Sequence, residues 1–218
     1  MSLRSVKFWK TRRPEVSVLT RRLLLAGLGV GCALPTLSQP ISAAASRVKT
    51  FIVHAKAQTR ERVVYDPAYR RIPYPMGDVP LNTGVCTDVV IRAYRALGID
   101  LQQLVHEDMK AHFALYPKIW GLKRPDPNID HRRVPNLETF FNRFAEGRAR
   151  SKRPEDYQPG DLVTCRLPGN LPHIMIVSDE LVFLSQNRYQ IIHNVGAGPK
   201  QEDRLFSYDI TGHYRYRL

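Results

Sequence analysis

The feature that most constrains this chain is a change of periodicity near residue 160. Before it, apolar residues recur at three- and four-residue steps; after it come short β-branched, aliphatic and aromatic runs separated by Gly, Pro, Asn and Asp. The clearest helical segment follows Asn82-Thr83-Gly84, which offers a cap, and carries Cys86, Val89, Val90, Ala93, Tyr94 and Leu97 on one face until Gly98 stops it. A polar helix is expected over 46–64, and a loop over 65–83, where Pro67, Pro73, Pro75 and Pro80 deny regular structure. Helices are expected over 101–116 and 136–145, with Trp120 and residues 125–133 in the loop between them. Strands are expected over 161–167, 173–178, 189–194 and 208–216. Helices first and strands after imply an α+β domain, its helices packed on an antiparallel sheet.

The segment ahead of this domain has a different texture. A basic leader with Arg4, Lys7, Lys10, Arg12 and Arg13 precedes Arg21-Arg22 and the apolar run Leu23–Leu34. That is the layout of a secretory signal, and the arginine pair directly before the run favours the twin-arginine route. Ala43-Ala44-Ala45 supplies small residues for a signal peptidase, which places cleavage near Ser46 and assigns 1–45 to the signal and 46–218 to one exported, periplasmic domain. The run is far short of the ~20 apolar residues of a membrane span, so no span is expected after cleavage. Cys32 does not read as a lipid-attachment site, because Gly29 stands where a bulky aliphatic residue is wanted.

Removing the signal lowers the charge. The whole chain has 33 Lys+Arg and 20 Asp+Glu, a net +13; the first 45 residues hold seven and one of these, so the mature 173 residues carry +7. The excess is spread along the chain without a Lys/Arg block, which suits an anionic envelope partner such as peptidoglycan and not a nucleic acid. Cys86 and Cys165 are the mature cysteines. In an oxidising compartment they form either one bridge, or a reactive thiol and a buried one.

Cys86 falls in the first turn of its helix, where unpaired N–H groups and the helix dipole favour an anion; its thiol pKa is expected to fall, and the same amides could hold an oxyanion. A small buried residue on the apolar face is the plainer reading of the same cysteine. His173 opens the apolar strand Ile174–Val177, and His193-Asn194 close another. A Cys–His pair needs a third group to fix the imidazole, and either His193 or Asn194 could serve. Asp126, Asp130 and His131 are too few and lack the Cys/His pairing of a zinc site, so neither metal nor cofactor is expected. Arg132 and Arg133 form either a solvated face or a grip on a substrate carboxylate. Cys165 reads as core, Trp120 as an anchor for its loop, and His213 offers no identifiable partner.

The order of helix-borne Cys86, the turn Gln158-Pro159-Gly160-Asp161, His173 at a strand start and His193 on the next strand resembles the NlpC-type cell-wall cysteine peptidases, a permuted papain-like fold. The resemblance implies Cys86 as nucleophile, His173 as base, His193 as orienter and Asp161 in a supporting turn. Residues 100–156 would then be an enlarged helical insertion between the cysteine helix and the sheet. Two departures stand out: Val85-Cys86-Thr87-Asp88 lacks the acidic residue that usually precedes the cysteine, and the 20-residue step from His173 to His193 is long, which keeps Asn194 in play. Gly84–Val90, Asn128–Asn136, Leu167–His173 and Ile192–Gly198 look more closely like the bacterial family of domain of unknown function 1287, over roughly 53–217.

The function expected from these readings is an exported cysteine amidase or peptidase acting on an amide bond, best suited to the stem peptides of peptidoglycan. Two others compete. One is a non-catalytic envelope-binding domain on the same fold; the other is an acyl transferase that uses the same Cys–His site but delivers the acyl group to an amine.

Overall fold

Phe51, Ile52 and Ala55 turn what reads as a polar helix into one wall of the core. They lie on helix α1 (Gln39–Ala57), and Phe51 packs on Tyr94 with ring centroids 4.6 Å apart. The structure, a computed structural model, describes residues 39–218, with side chains from residue 43 onward. The arginine pair, the apolar run and Cys32 lie outside the described residues, whereas the expected cleavage point near Ser46 falls within α1. The helix ends earlier than expected, giving way to a 3-10 turn over Gln58–Arg60. The described residues belong to one compact unit.

The proline-rich loop is tied down at both ends. Strand β1 (Val64–Tyr65) pairs in parallel with β2 (Thr83–Gly84), a two-residue ladder too short to carry a periodic signal. Between them, Met76 N–H donates to Asp100 Oδ2 at 2.7 Å and Gly77 N–H to Gln102 Oε1 at 2.8 Å. Helix α2 (Cys86–Arg95) follows, with Cys86 to Ile91, Ala93 and Tyr94 all buried. Helix α3 (Leu101–His112) is capped by Asp100, whose side chain accepts from Gln102 N–H, and α4 (Val134–Phe144) starts with Pro135 in its first turn, where a missing N–H costs nothing.

The remaining elements are strands β3 (Glu146–Gly147), β4 (Leu162–Leu167), β5 (Leu171–Leu181), β6 (Tyr189–Asn194), β7 (Pro199–Glu202) and β8 (Asp209–Arg215). They form one antiparallel sheet in the order β3-β8-β4-β5-β6-β7. Strand alternation sorts their side chains. Leu162, Ile174, Ile176 and Ile192 join the helices in one apolar cluster, while Val163, Cys165, Met175, Val177 and Ile191 pack with Tyr157 and Leu205 on the other face. Each such side chain contributes roughly 1.5–3 kcal/mol by leaving water. The fold is therefore α+β with helices on an antiparallel sheet. Among the described residues, no helix is long and apolar enough to cross a membrane.

The turn before β4 is held by Asp161. Gly160 adopts φ +89°, a region open to glycine, and the buried Asp161 carboxylate then accepts from Gln158 N–H at 2.8 Å, His213 Nε2 at 2.9 Å and Arg215 Nε at 2.8 Å. This corrects the reading of His213 as a histidine without a partner: its Nδ1 also lies 2.8 Å from the Ala149 carbonyl, and its ring stacks on Tyr157 at 4.2 Å. The partner was hidden because it lies 52 residues away in the chain.

Candidate active site

The start of α2 is fixed by residues within and beyond it. Cys86 is its first residue, and the cap is not the Asn82-Thr83-Gly84 string but Asp88 in the first turn, whose carboxylate accepts the Val85 N–H at 2.7 Å. The same carboxylate holds Arg132 in a two-point pair, with Nε and Nη2 each at 2.9 Å, and both side chains are 3% exposed. Thr87 Oγ1 donates to the Arg132 carbonyl at 3.0 Å, so α2 and the turn before α4 are cross-linked twice.

This clamp delivers the helix tip to a gap in the sheet. The pairing of β5 with β6 runs through Leu181↔Tyr189, Val177↔Ile191 and Ile176↔Ile192, and goes no further toward Ile174 and Asn194. The groups released there turn to α2. The backbone amides of Ile174, Thr87 and Cys86 itself favour the charged form of the Cys86 sulfur, and Asn194 Nδ2 donates to the Gly84 carbonyl at 3.2 Å. The Cys86 sulfur thus feels the amide of Ile174, the residue that follows His173. Among the described residues no hydrogen bond joins Cys86 to His173.

The two histidines meet across the same gap. His173 Nε2 lies 2.9 Å from His193 Nδ1, their rings at 73° with centroids 5.1 Å apart, and His193 Nε2 lies 2.9 Å from Glu202 Oε1 on β7. His193 rather than Asn194 is therefore the residue against His173, and Asn194 serves the α2 tip. Glu202 escaped the sequence reading, since Pro199-Lys200-Gln201-Glu202 has no apolar alternation to mark a strand.

Electrostatically the site departs from the expectation of a lowered thiol pKa. Burial pushes the Cys86 thiol up to about 11, and the nearby Asp88 adds to it, outweighing those backbone amides. His173 is pushed down to about 3 by burial and by the neighbouring His193, and burial also lowers His193 against the pull of Glu202. At neutral pH the resting pair is a thiol and a neutral imidazole. The amides at the helix tip do favour the thiolate, but burial of that tip, invisible in the sequence, is the larger effect. Both cysteines are buried free thiols, and Cys165 sits in the core of the far face.

Cys86 opens on a cavity of about 380 Å³ whose walls include Tyr65, Tyr69, Trp120, Arg133, Pro135 and Pro172. Arg132 lines it as well, but its Nε and Nη2 are committed to Asp88, so its first task is to hold the helix. Arg133 lies over the Trp120 ring at 4.1 Å and pairs with Asp130 at 3.2 Å. Trp120 thus forms part of the cavity wall, beyond the loop anchor expected of it. Asp161 stands with His213 and Arg215 in its turn, away from the cavity-lining set. Asp126, Asp130 and His131 do not converge as metal ligands: Asp126 accepts from Asn128 and Tyr69, and Asp130 is engaged by Arg133.

Two similarities bear on this arrangement. The family described as Domain of unknown function (DUF1287) matches residues 52–216, which include every residue of the Cys86 site named above. A protein of Escherichia coli (strain K12), described as uncharacterized protein YijF, is 56% identical over 162 residues, covering 74% of this chain and 78% of that protein.

Proposed function

For a chain that belongs to the DUF1287 family, we propose the function of an exported cysteine hydrolase that cleaves an amide bond, with the stem peptides of peptidoglycan as substrate. The observation that carries this reading is the Ile174 amide, next in sequence to His173, acting on the Cys86 sulfur, together with the hydrogen-bonded row of His173, His193 and Glu202. The order of these residues is similar to that of NlpC-type peptidases, and the papain-like fold is part of the proposal. The arginine pair and apolar run of the first 34 residues support export by the twin-arginine route to the periplasm.

Chemically, a neutral resting pair calls for general-base attack. His173 takes the thiol proton as Cys86 Sγ bonds to the carbonyl carbon, and the amides at the α2 tip face the developing oxyanion. The imidazolium then gives its proton to the leaving amine, the C–N bond breaks, and a thioester remains. Water attacks the thioester while His173 accepts its proton, releasing the acid and restoring the thiol. The test is to incubate the protein and its Cys86→Ala variant with purified cell-wall fragments and read the products by mass. New fragments with the parent protein and none with the variant support the reading; a folded Cys86→Ala protein of full activity overturns it.

A second reading is favoured by one specific observation, the burial that leaves Cys86 5% exposed and its thiol protonated. It is a domain that binds an anionic envelope component in the cavity without cleaving it, and retention of fragments without new products would establish it. Release of a product joined to an added amine would instead mark an acyl transferase.

A further inference from the structure

We infer that Glu202 is a positioning residue that sets the tautomers of both site histidines and leaves Nδ1 of His173 as the bare nitrogen. The inference rests on the Cys–His reading only for what that nitrogen is used for.

Both tautomers follow from the donors and acceptors along three side chains. A carboxylate has lone pairs and no proton, so the 2.9 Å contact from His193 Nε2 to Glu202 Oε1 requires the proton of His193 to sit on Nε2. A neutral His193 then presents Nδ1 as an acceptor. The 2.9 Å contact between that Nδ1 and His173 Nε2 can only be a hydrogen bond if His173 also carries its proton on Nε2. The remaining nitrogen of His173 is left with its lone pair, which is the form a general base needs. Burial keeps both rings neutral, since it lowers the pKa of each.

The surroundings give this row a direction. The His193 side chain is fully enclosed, while the Glu202 side chain is 33% exposed, with Arg204 Nε 4.0 Å away on its outer side. In the β6–β7 register Glu202 lies opposite Ile191 and Lys200 opposite His193, so Glu202 reaches the imidazole diagonally along one face of the sheet. Without Glu202, His193 Nε2 would meet water, which donates as readily as it accepts, and nothing would select one tautomer over the other.

The test is a long-range 1H–15N correlation spectrum of the purified protein labelled in its imidazole nitrogens. At neutral pH His173 and His193 should both show a protonated Nε2 and a bare Nδ1. Glu202→Ala should lose that pattern at both rings, while Glu202→Gln, whose amide oxygen still accepts, should keep it. If cleavage is found, Glu202→Ala should lower kcat by about 10²-fold with little change in KM, the lower end of what a positioned base contributes, and Glu202→Gln should recover much of the loss. A parent protein with its His173 proton on Nδ1, or an unchanged tautomer pattern in Glu202→Ala, overturns the inference. The parent spectrum alone is decisive if the alanine variant does not fold. Because the spectrum is read without substrate, failure of the proposed hydrolysis and failure of this inference are separate results.

Discussion

At the scale of single residues, Asp88 matters most for placing Cys86. It caps α2 through the Val85 N–H and holds Arg132 in a pair closed to solvent. Removing one member of a buried pair leaves the other charge without a partner, which costs about 3–5 kcal/mol. Asp88→Ala should lose stability of that order in urea titration, whereas a change at the exposed Glu155 should leave the midpoint in place. A loss below about 1 kcal/mol would show that the clamp is not what fixes the helix tip. His131 allows a second prediction, this one in pH. It is buried as the neutral form with its pKa lowered to about 3, first by burial and then by Arg132 and Arg95. The unfolded chain takes up the proton near pH 6.5 and the folded chain does not, so the stability tied to the neutral ring is complete above pH 6.5 and is lost as pH falls toward 3. His173 acts in the same direction. His131→Phe should therefore flatten the decline of unfolding free energy over that window by up to about 1.4 kcal/mol per pH unit, the slope of one proton. Cys86 and the two site histidines were legible as residue types at strand and helix ends. The pKa of Cys86 was not, because packing from elements distant in sequence sets its burial.

At the scale of elements, the site is one helix tip set into the opening between two strands. Gly84 sits where this joint is tightest. A methyl group there would lie 3.2 Å from Asp88 Oδ2, 3.3 Å from Asp88 Cβ and 3.4 Å from Arg92 Nη1. The carboxylate that caps α2 would have to move, so Gly84→Ala should destabilise the fold by about 1–3 kcal/mol, the usual range for overpacking, and slow any Cys86-dependent turnover. Parallel thermal melts and product assays check it. An unchanged melting point would mean that the joint is looser than the distances imply. Helices α2, α3 and α4 were legible from apolar residues at three- and four-residue steps, and strands β4, β6 and β8 from short β-branched, aliphatic and aromatic runs between turn residues. Strands β1, β2 and β3 have two residues each, and β7 reads Pro-Lys-Gln-Glu; none shows an apolar alternation. Their existence depends on neighbours supplied by the fold. Glu202, the outermost member of the histidine row, was missed for the same reason.

At the scale of the whole molecule, helices cover one face of the sheet, and a smaller apolar cluster around Tyr157 and Leu205 closes the other. The antiparallel α+β plan followed from helices preceding strands, but the joining of β3 to the β8 edge through Glu146↔Arg215 could not be read from order alone. Helix α1 keeps its buried residues Phe51, Ile52 and Ala55 beyond Ser46, so cleavage there would leave its core contacts in place. Export by the twin-arginine route predicts a secreted form starting at or near Ser46, and retention of the full chain when Arg21 and Arg22 are both changed to Lys; fractionation with N-terminal mass mapping reads both. Continued export of the double variant would contradict that route. The central claim, acyl transfer to Cys86 followed by hydrolysis, is tested most directly by adding hydroxylamine to the reaction with cell-wall fragments. A thioester intermediate predicts an acyl hydroxamate that forms with the parent protein and is absent with Cys86→Ala. Cleavage at full rate with no hydroxamate from either protein would contradict it.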